Sequence, residues 1–420
     1  MRRRSREPLP PGFGTIWSAV AIDLVGFGIV FPILPLYAKR FHASSAAATG
    51  LVAAFAAASF VFSPLWGRLS DRYGRKPLLL LSLVGTCAGS LMTALAGGLA
   101  VLYLARVVDG ISGASVSVAQ ASVSDVASPD QRARLFGLLG AAFGLGFVAG
   151  PAIGALAQLA GPKVPFYVAA ALAGVNALVA LRRLPETHPR SRSAPEAAGS
   201  VAPAPSGRRG WWGRGPFSTL AGGQGVGAFI AVAFGTLVAF SAFEATFALF
   251  GQRRLGFGLG SSAAVFAVIG LAIVAVQVGL VHGVVSRLGE EATLRLGLVV
   301  VGAGLLGLAF VRSWAALAAA LLALTVGEGL AQTTMASTLA GRADPGRRGE
   351  VLGAQQSAGG LARVIGPLLG GIAFERIGPG APYIGGAALV AVVVVVLQAV
   401  VGTGLRRGRD PSQDRATARE

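Results

Sequence analysis

Five side chains break long apolar stretches of this 420-residue chain in places where a charge is costly: Asp23, Arg106, Asp109, Glu244 and Glu328. A carboxylate at the centre of a hydrocarbon layer costs about 2.5–3.5 kcal/mol on insertion scales. Such a group normally faces a cavity and can change its protonation state, taking a proton from one side and giving it to the other. Asp23 lies about nine residues into the first apolar segment, which at about 1.5 Å per residue places it near mid-bilayer. That makes it the leading candidate proton carrier. The plainer alternative is a carboxylate tied to neighbouring backbone. Glu244 and Glu328 are candidates for a cavity wall that attracts a cationic substrate, or for structural polar contacts. Arg106 and Asp109 are three apart and share a helix face, so the simplest reading is a self-satisfied ion pair. Gln120 is a further candidate polar group of the substrate cavity. The histidines (His42, His188, His282) are scattered and Cys87 is the one cysteine, so no metal site, disulfide or cofactor is expected.

The elements that must hold these groups follow from charge spacing. The chain is 54% hydrophobic and only 13% charged, about half the charge of a soluble domain, which makes a soluble enzyme a poor fit. Residues 41–67, 77–105, 135–162, 215–243, 255–286 and 377–405 hold no Asp, Glu, Lys or Arg. A membrane helix needs about 20 such residues. The pattern predicts an all-α membrane protein with twelve transmembrane helices. They fall at 14–37, 47–66, 77–97, 99–123, 135–160, 164–184, 227–250, 259–286, 293–311, 314–340, 350–376 and 381–404. The first reads as a retained helix, since its apolar part is long and carries Asp23, Pro32 and Pro35.

The net charge of +18 raises the question of nucleic acid. With the N-terminus inside, 27 of the 36 basic residues fall on inner segments and 7 on outer ones. That is the positive-inside bias with both termini cytoplasmic, and it leaves no soluble domain for a nucleic acid to bind. Residues 185–222 are rich in proline and charge and read as a cytoplasmic linker, with Trp211 and Trp212 suited to headgroups. The domain boundaries are then an N-terminal six-helix bundle at 1–184, the linker at 185–222, a C-terminal bundle at 223–405 and a cytoplasmic tail at 406–420.

The two halves repeat. At an offset of 216, Gly137/Gly353, Gly144/Gly360, Gly150/Gly366, Pro151/Pro367 and Gly154/Gly370 coincide. Arg72-Tyr73-Gly74 faces Arg287-Leu288-Gly289 at an offset of 215. Small residues at such spacing permit close helix packing, and proline removes a backbone donor and can bend a helix. Two six-helix pseudo-repeats in parallel orientation are an architecture of secondary transporters.

The loop Gly67-Arg68-Leu69-Ser70-Asp71-Arg72-Tyr73-Gly74-Arg75-Lys76 matches G-x-L-[AS]-D-R-x-G-R-[RK] at every position. With Asp23 through Pro35, Arg106 through Gly110, and Gly146-Phe-Val-Ala-Gly150-Pro151-Ala-Ile-Gly154, the chain resembles the 12-spanner drug:proton antiporters of the major facilitator superfamily. It is most similar to the bacterial tetracycline/proton antiporters. The resemblance implies the major facilitator fold and a role for Arg106 beside Asp23 in proton coupling. It also implies a gating loop of Gly67, Asp71, Arg72, Gly74, Arg75 and Lys76, in which Asp71 meets the N-terminus of the eleventh helix. Gly146, Gly150, Pro151 and Gly154 form the antiporter helix motif. Two departures stand out. The membrane aspartate that the tetracycline exporters carry in helix 3 falls at Gly89, and their helix 8 histidine at Ile273.

The implied function is proton-coupled export of drugs or related amphipathic small molecules by alternating access, with the proton gradient as energy source. The setting is the bacterial inner membrane, and the partners are the substrate, protons and the lipid bilayer around a monomer. An exporter of one native metabolite such as a sugar is the alternative. A non-transporting membrane protein is the reading from a different class.

Overall fold

The structure is a computed structural model that describes residues 9–10, 12–113, 115–126, 129–187, 226–342 and 348–407. Its regular elements among the described residues are all helical. Among the described residues, twelve helical segments are long and apolar enough to cross a membrane. The first half runs α1 (Phe13–Val30), α2 (Leu34–Ala38), α3 (Ser45–Tyr73), α4 (Arg75–Leu95), α5 (Leu99–Ser112), α6 (Ser115–Val126), α7 (Pro129–Gln158) and α8 (Val164–Arg183). The second half runs α9 (Val226–Leu255), α10 (Leu259–Gly279), α11 (Val281–Leu288), α12 (Glu290–Ala309), α13 (Trp314–Arg342), α14 (Arg348–Arg376) and α15 (Ala381–Arg407).

Three expected helices are interrupted. The segment 14–37 is α1 and α2, separated by a turn at Phe31–Ile33, because Pro32 donates no backbone hydrogen bond. The segment 99–123 is α5 and α6, with α5 ending at Ser112 before Gly113. The segment 259–286 is α10 and α11, with Leu280 between them. The remaining spans match their expected positions to within several residues at each end. Residues 188–222 of the expected linker, Trp211 and Trp212 with them, and residues 408–420 of the tail lie outside the described residues.

The repeat is visible in backbone geometry. Gly74, between α3 and α4, has φ 100° and ψ 165°. Gly289, between α11 and α12, has φ 79° and ψ 167°. Only glycine populates that region readily, so each half turns its second span into its third through the same residue type in the same conformation. Pro151 and Pro367 each sit inside a continuous helix, α7 and α14.

The chain forms two compact units. One comprises the described residues of Met1–Ala202 with Ala245–Leu271 and Gly370–Arg376. The other comprises those of Pro203–Glu244, Ala272–Leu369 and Ile377–Glu420. In the first unit α1 packs along α7 at glycine distance. A methyl group added to Gly150 would lie 2.6 Å from Gly28 Cα and 2.7 Å from the Val25 carbonyl oxygen. In the second unit Gly366 of α14 meets Val238 and Ala242 of α9 in the same way. The matched Gly-Pro pairs therefore press equivalent helices together, the close approach that small residues allow in a membrane. This seam fixes the depth and rotation of α1, and with it the place of Asp23.

Gly150→Leu is expected to lower stability by about 1–3 kcal/mol or more, the cost of overpacking a filled contact. Thermal unfolding in detergent reads this, with Gly14→Leu as control, since a Cβ at Gly14 meets nothing within 4 Å. Equal melting of the two variants would mean that the α1–α7 seam is not closely packed.

Candidate proton and substrate site

Asp23, on α1, faces α4, α5 and α6. One carboxylate oxygen, Oδ2, accepts a hydrogen bond from Ser115 Oγ at 2.5 Å. The other, Oδ1, is buried with no hydrogen-bond partner. Asp23 lines a cavity of about 40 Å³ with Phe27, Phe55, Thr86, Ser90 and Asp109. That volume is enough for a water molecule, and the walls carry polar atoms to bind one. Phe27 stacks at tilted angles on Phe31 and Phe55, each with ring centroids 5.4 Å apart, so the cavity has an aromatic side.

Arg106 and Asp109 are buried on α5, 3% and 6% exposed. Arg106 Nη1 donates to Asp109 Oδ2 at 2.9 Å, and Nη2 donates to Thr93 Oγ1 at 2.8 Å. The self-satisfied pair read from their spacing is present. The pair also reaches Asp23, because Asp109 lines the same cavity and the two carboxylates feel each other's charge. Thr86 of α4 interacts with both. Thr86 and Ser115 were not singled out in the sequence, where a lone hydroxyl in a membrane helix carries no pattern. Gln120, on α6, is half-buried and is not among the residues lining this cavity.

The Gly67–Lys76 loop is organised around Arg75, whose side chain is only 10% exposed. Its Nε donates to Asp125 Oδ2 at 2.8 Å, and its Nη1 donates to Ser70 Oγ at 2.5 Å and Asp71 Oδ1 at 2.7 Å. Glu186 closes the N-terminus of α4, accepting from the backbone N–H of Arg75 at 2.9 Å and of Lys76 at 3.1 Å. A carboxylate there meets the positive end of the helix. Asp71 keeps two-thirds of its side chain exposed. Arg72 lies over the Tyr73 ring at 5.4 Å. Asp125 and Glu186 are distant in sequence from the loop, so its motif did not disclose them.

In the second unit Glu328 of α13 is 3% exposed. Its Oε1 accepts from Gln332 Nε2 at 2.6 Å, and its Oε2 has no hydrogen-bond partner. Glu244 on α9 and Arg363 on α14 both act electrostatically on it. Arg363 stands on the α14 face of Gly359 and Gly366, which pack on α9 at Leu237 and Val238. It is exposed and forms no ion pair among the described residues. The structure thus brings Glu244 and Glu328 into one charged group with an arginine that the sequence reading left without a role.

Within the first unit, segments from late in the chain pack on the first spans. Glu375, at the end of α14, accepts from the Ala46 N–H at 2.8 Å, at the N-terminus of α3. Ser262 Oγ donates to the Pro32 carbonyl at 3.3 Å, and Phe266 meets Phe31 edge to face. Beside this contact Lys39 Nζ donates to the Ala43 carbonyl at 2.9 Å. Burial pulls that ammonium below its ordinary pKa, and the Glu375 charge opposes the shift.

Twelve apolar helices, glycine seams repeated in both halves and buried charges along the bundle define a multi-pass membrane transporter. The sequence profile of the Major Facilitator Superfamily matches residues 16–367 and 283–419, and the chain belongs to that superfamily. It is 34% identical over 359 residues to the tetracycline resistance protein, class E, of Escherichia coli, covering 83% of this chain and 84% of that one. The crystal structure of the human organic anion transporter MFSD10 (TETRAN) superposes with a TM-score of 0.67 at 26% identity, over 93% of this chain and 100% of that one. A crystal structure of the peptide transporter POT superposes with a TM-score of 0.75 at 14% identity, over 97% and 96%, a likeness of fold alone. These relatives are transporters and not enzymes.

The two carboxylates on Arg75 are not equivalent. Asp125→Asn is expected to cost about 3 kcal/mol, as when a buried pair loses one partner. Asp71→Asn, at an exposed pair, is expected to cost less than about 1 kcal/mol. Thermal unfolding of both variants ranks them, and a larger loss for Asp71→Asn would overturn the assignment.

Proposed function

We propose that this transporter is a proton-coupled exporter of drugs or related amphipathic small molecules, working by alternating access. The observation that carries the reading is Asp23, which lines a cavity within a membrane span and leaves Oδ1 buried without a partner. Its buried neighbour Arg106, one residue pair away through Asp109, supports a role for the arginine in the same proton step. The tetracycline resistance relatives support drug efflux as the purpose.

In this reading the outward-open carrier takes a proton on Asp23 and releases substrate. It then rocks inward and exchanges the proton for a new substrate. No cofactor takes part, and the proton gradient supplies the energy. Glu244 and Glu328, with Asp109 and Gln120, contribute polar groups along the substrate's path. Asp71 latches onto the N-terminal end of α14 when the cytoplasmic gate closes, with Gly67, Arg72, Gly74, Arg75 and Lys76 shaping the loop. Gly146, Gly150, Pro151 and Gly154 hold the α1–α7 seam. The chain works as a monomer in a bacterial inner membrane with both termini cytoplasmic.

A second reading, transport of substrates that carry an anionic group, is favoured by Arg363. It is an exposed guanidinium within a span and without an ion-pair partner among the described residues. The organic anion transporter among the solved relatives points the same way.

The test uses the full-length protein in proteoliposomes with an imposed pH gradient and a pH-sensitive dye inside. Tetracycline, ethidium and an aryl carboxylate are added in turn. At least one compound should drive proton movement, and Asp23→Asn should abolish it while leaving folded protein in the bilayer. A carboxylate response that Arg363→Gln removes would select the second reading. Substrate-driven proton movement that survives in Asp23→Asn, or none in the parent, would sink the antiport reading. Separately, Asp71→Asn should cut turnover while the protein stays folded; unchanged turnover would defeat the latch.

A further inference from the structure

We propose that Asp109 is a second proton-carrying group, paired with Asp23 across the shared cavity, and that the Thr86 hydroxyl relays protons between them. The proposal rests on the reading of Asp23 as the coupled carboxylate and extends it to a named relay.

The geometry comes from three helices. Asp23 of α1 and Asp109 of α5 line one small cavity, and Thr86 of α4 lines it too. Thr86 interacts with both carboxyl groups, and the two carboxylates interact with each other. Each end of the relay has its own support. Ser115 donates to Asp23 Oδ2. Arg106 donates to Asp109 Oδ2. The atom left over is Asp23 Oδ1, buried and without a partner. A hydroxyl both donates and accepts, so threonine can serve as a bridge where valine cannot.

The step balances. The acid proton of Asp23 passes to the Thr86 oxygen as the hydroxyl proton of Thr86 passes to the Asp109 carboxylate. Asp23 becomes the anion, held by Ser115, and Asp109 becomes the neutral acid. The Arg106–Asp109 ion pair then becomes a cation beside a neutral group, which loosens Arg106 from its carboxylate. A proton arriving at Asp23 is thereby read out as a change in an arginine one helix away.

The charged and titratable groups that face Asp109 are few. Arg106 lies on its own helix and Asp23 on α1. The helices packed against α5 are α3 and α4. From α4 come Thr86, Ser90 and Thr93 at this depth. The charged residues of these two helices, Arg68, Asp71, Arg72, Arg75 and Lys76, cluster at the Gly74 turn. Room for the Asp109 side chain comes from Gly89. A methyl group there would lie 2.8 Å from Asp109 Cβ, 3.1 Å from the Ala105 carbonyl oxygen and 3.2 Å from Asp109 Cα. The space holds one side chain, and Asp109 fills it.

Infrared difference spectra between acid and alkaline pH test this on the full-length protein in lipid, labelled with ¹³C-aspartate. They report carboxyl protonation without any substrate, so they decide the relay even if no compound is exported. The parent should show two coupled aspartic acid bands. Asp23→Asn and Asp109→Asn should each remove one and move the other's midpoint by about one pH unit, the effect of a close charge. Because Asp109→Asn leaves a buried arginine unpaired, Arg106→Gln/Asp109→Asn is the fold-safe companion and should behave alike. Thr86→Val should keep both bands and their charge coupling but slow the rise of the Asp109 band after a rapid drop in pH, with Thr86→Ser restoring the parent rate. Gly89→Asp/Asp109→Gly, which returns a carboxylate to the same space from the other helix, should regain the second band. An Asp23 band that titrates identically in the parent, in Asp109→Asn and in the double neutral variant would overturn the proposal. So would an Asp109 band that rises as fast in Thr86→Val as in the parent after the same drop in pH.

Discussion

A charge in a hydrocarbon layer must have a partner, a cavity or both, and the rest of this molecule is arranged around that requirement. Arg106 has Asp109 and Thr93. Asp23 has Ser115 on one oxygen and a small cavity beside it. Glu328 has Gln332 on one oxygen and an arginine within electrostatic range. None of these solutions is complete. Asp23 Oδ1, Glu328 Oε2 and Arg106 Nε are each buried without a hydrogen-bond partner. Incomplete satisfaction is costly in a static protein and useful in a carrier, whose charged groups must exchange partners as it turns over.

Partner exchange requires helices held in close, fixed register, and glycine supplies that closeness. Gly28 and Gly150 let α1 and α7 touch backbone to backbone. Asp23 sits five residues before Gly28 on the same helix, so the seam sets where its carboxylate points. Gly366 does the equivalent for α14 on α9, three residues from Arg363. In both halves a closely packed glycine of the seam stands within two turns of a charged residue inside a span. Packing and chemistry are therefore not separable here, and a side chain forced into either seam would displace the charge as well as the helix.

The twelve spans were legible because a hydrocarbon layer imposes a length and an absence of charge that show in any sequence. The repeat was legible because glycine and proline mark backbone positions whatever surrounds them, as the matched φ and ψ of Gly74 and Gly289 show. Asp23 and the Arg106–Asp109 pair stood out as charges in apolar runs. The hydroxyls that join them did not, since Thr86 and Ser115 look like any small residue of a membrane helix. Asp125 and Glu186 escaped for another reason: their partner, Arg75, is 50 and 111 residues away. Contacts between distant segments are set by tertiary packing, which local spacing does not encode. The helix breaks at Pro32 and Gly113 were blurred because membrane helices often run through such residues.

Gly89 gives a physical meaning to the clearest departure from the tetracycline antiporter pattern. The resemblance places an aspartate there, and the backbone direction at Gly89 leads straight into the Asp109 side chain. The two positions compete for one volume, so a carboxylate on α5 at residue 109 is compatible with glycine on α4 at residue 89 and not with a larger residue. Read one position at a time, the glycine is a missing acid. Read in space, an acid occupies the same place from the neighbouring helix, with Arg106 three residues before it on its own helix as a fixed counter-charge. That counter-charge distinguishes the arrangement. An acid on α5 is tied to Arg106 through local helix geometry, whereas an acid on α4 would have to reach it across a helix interface. The electrostatic balance around Asp23 therefore depends on a pair whose spacing the sequence itself fixes.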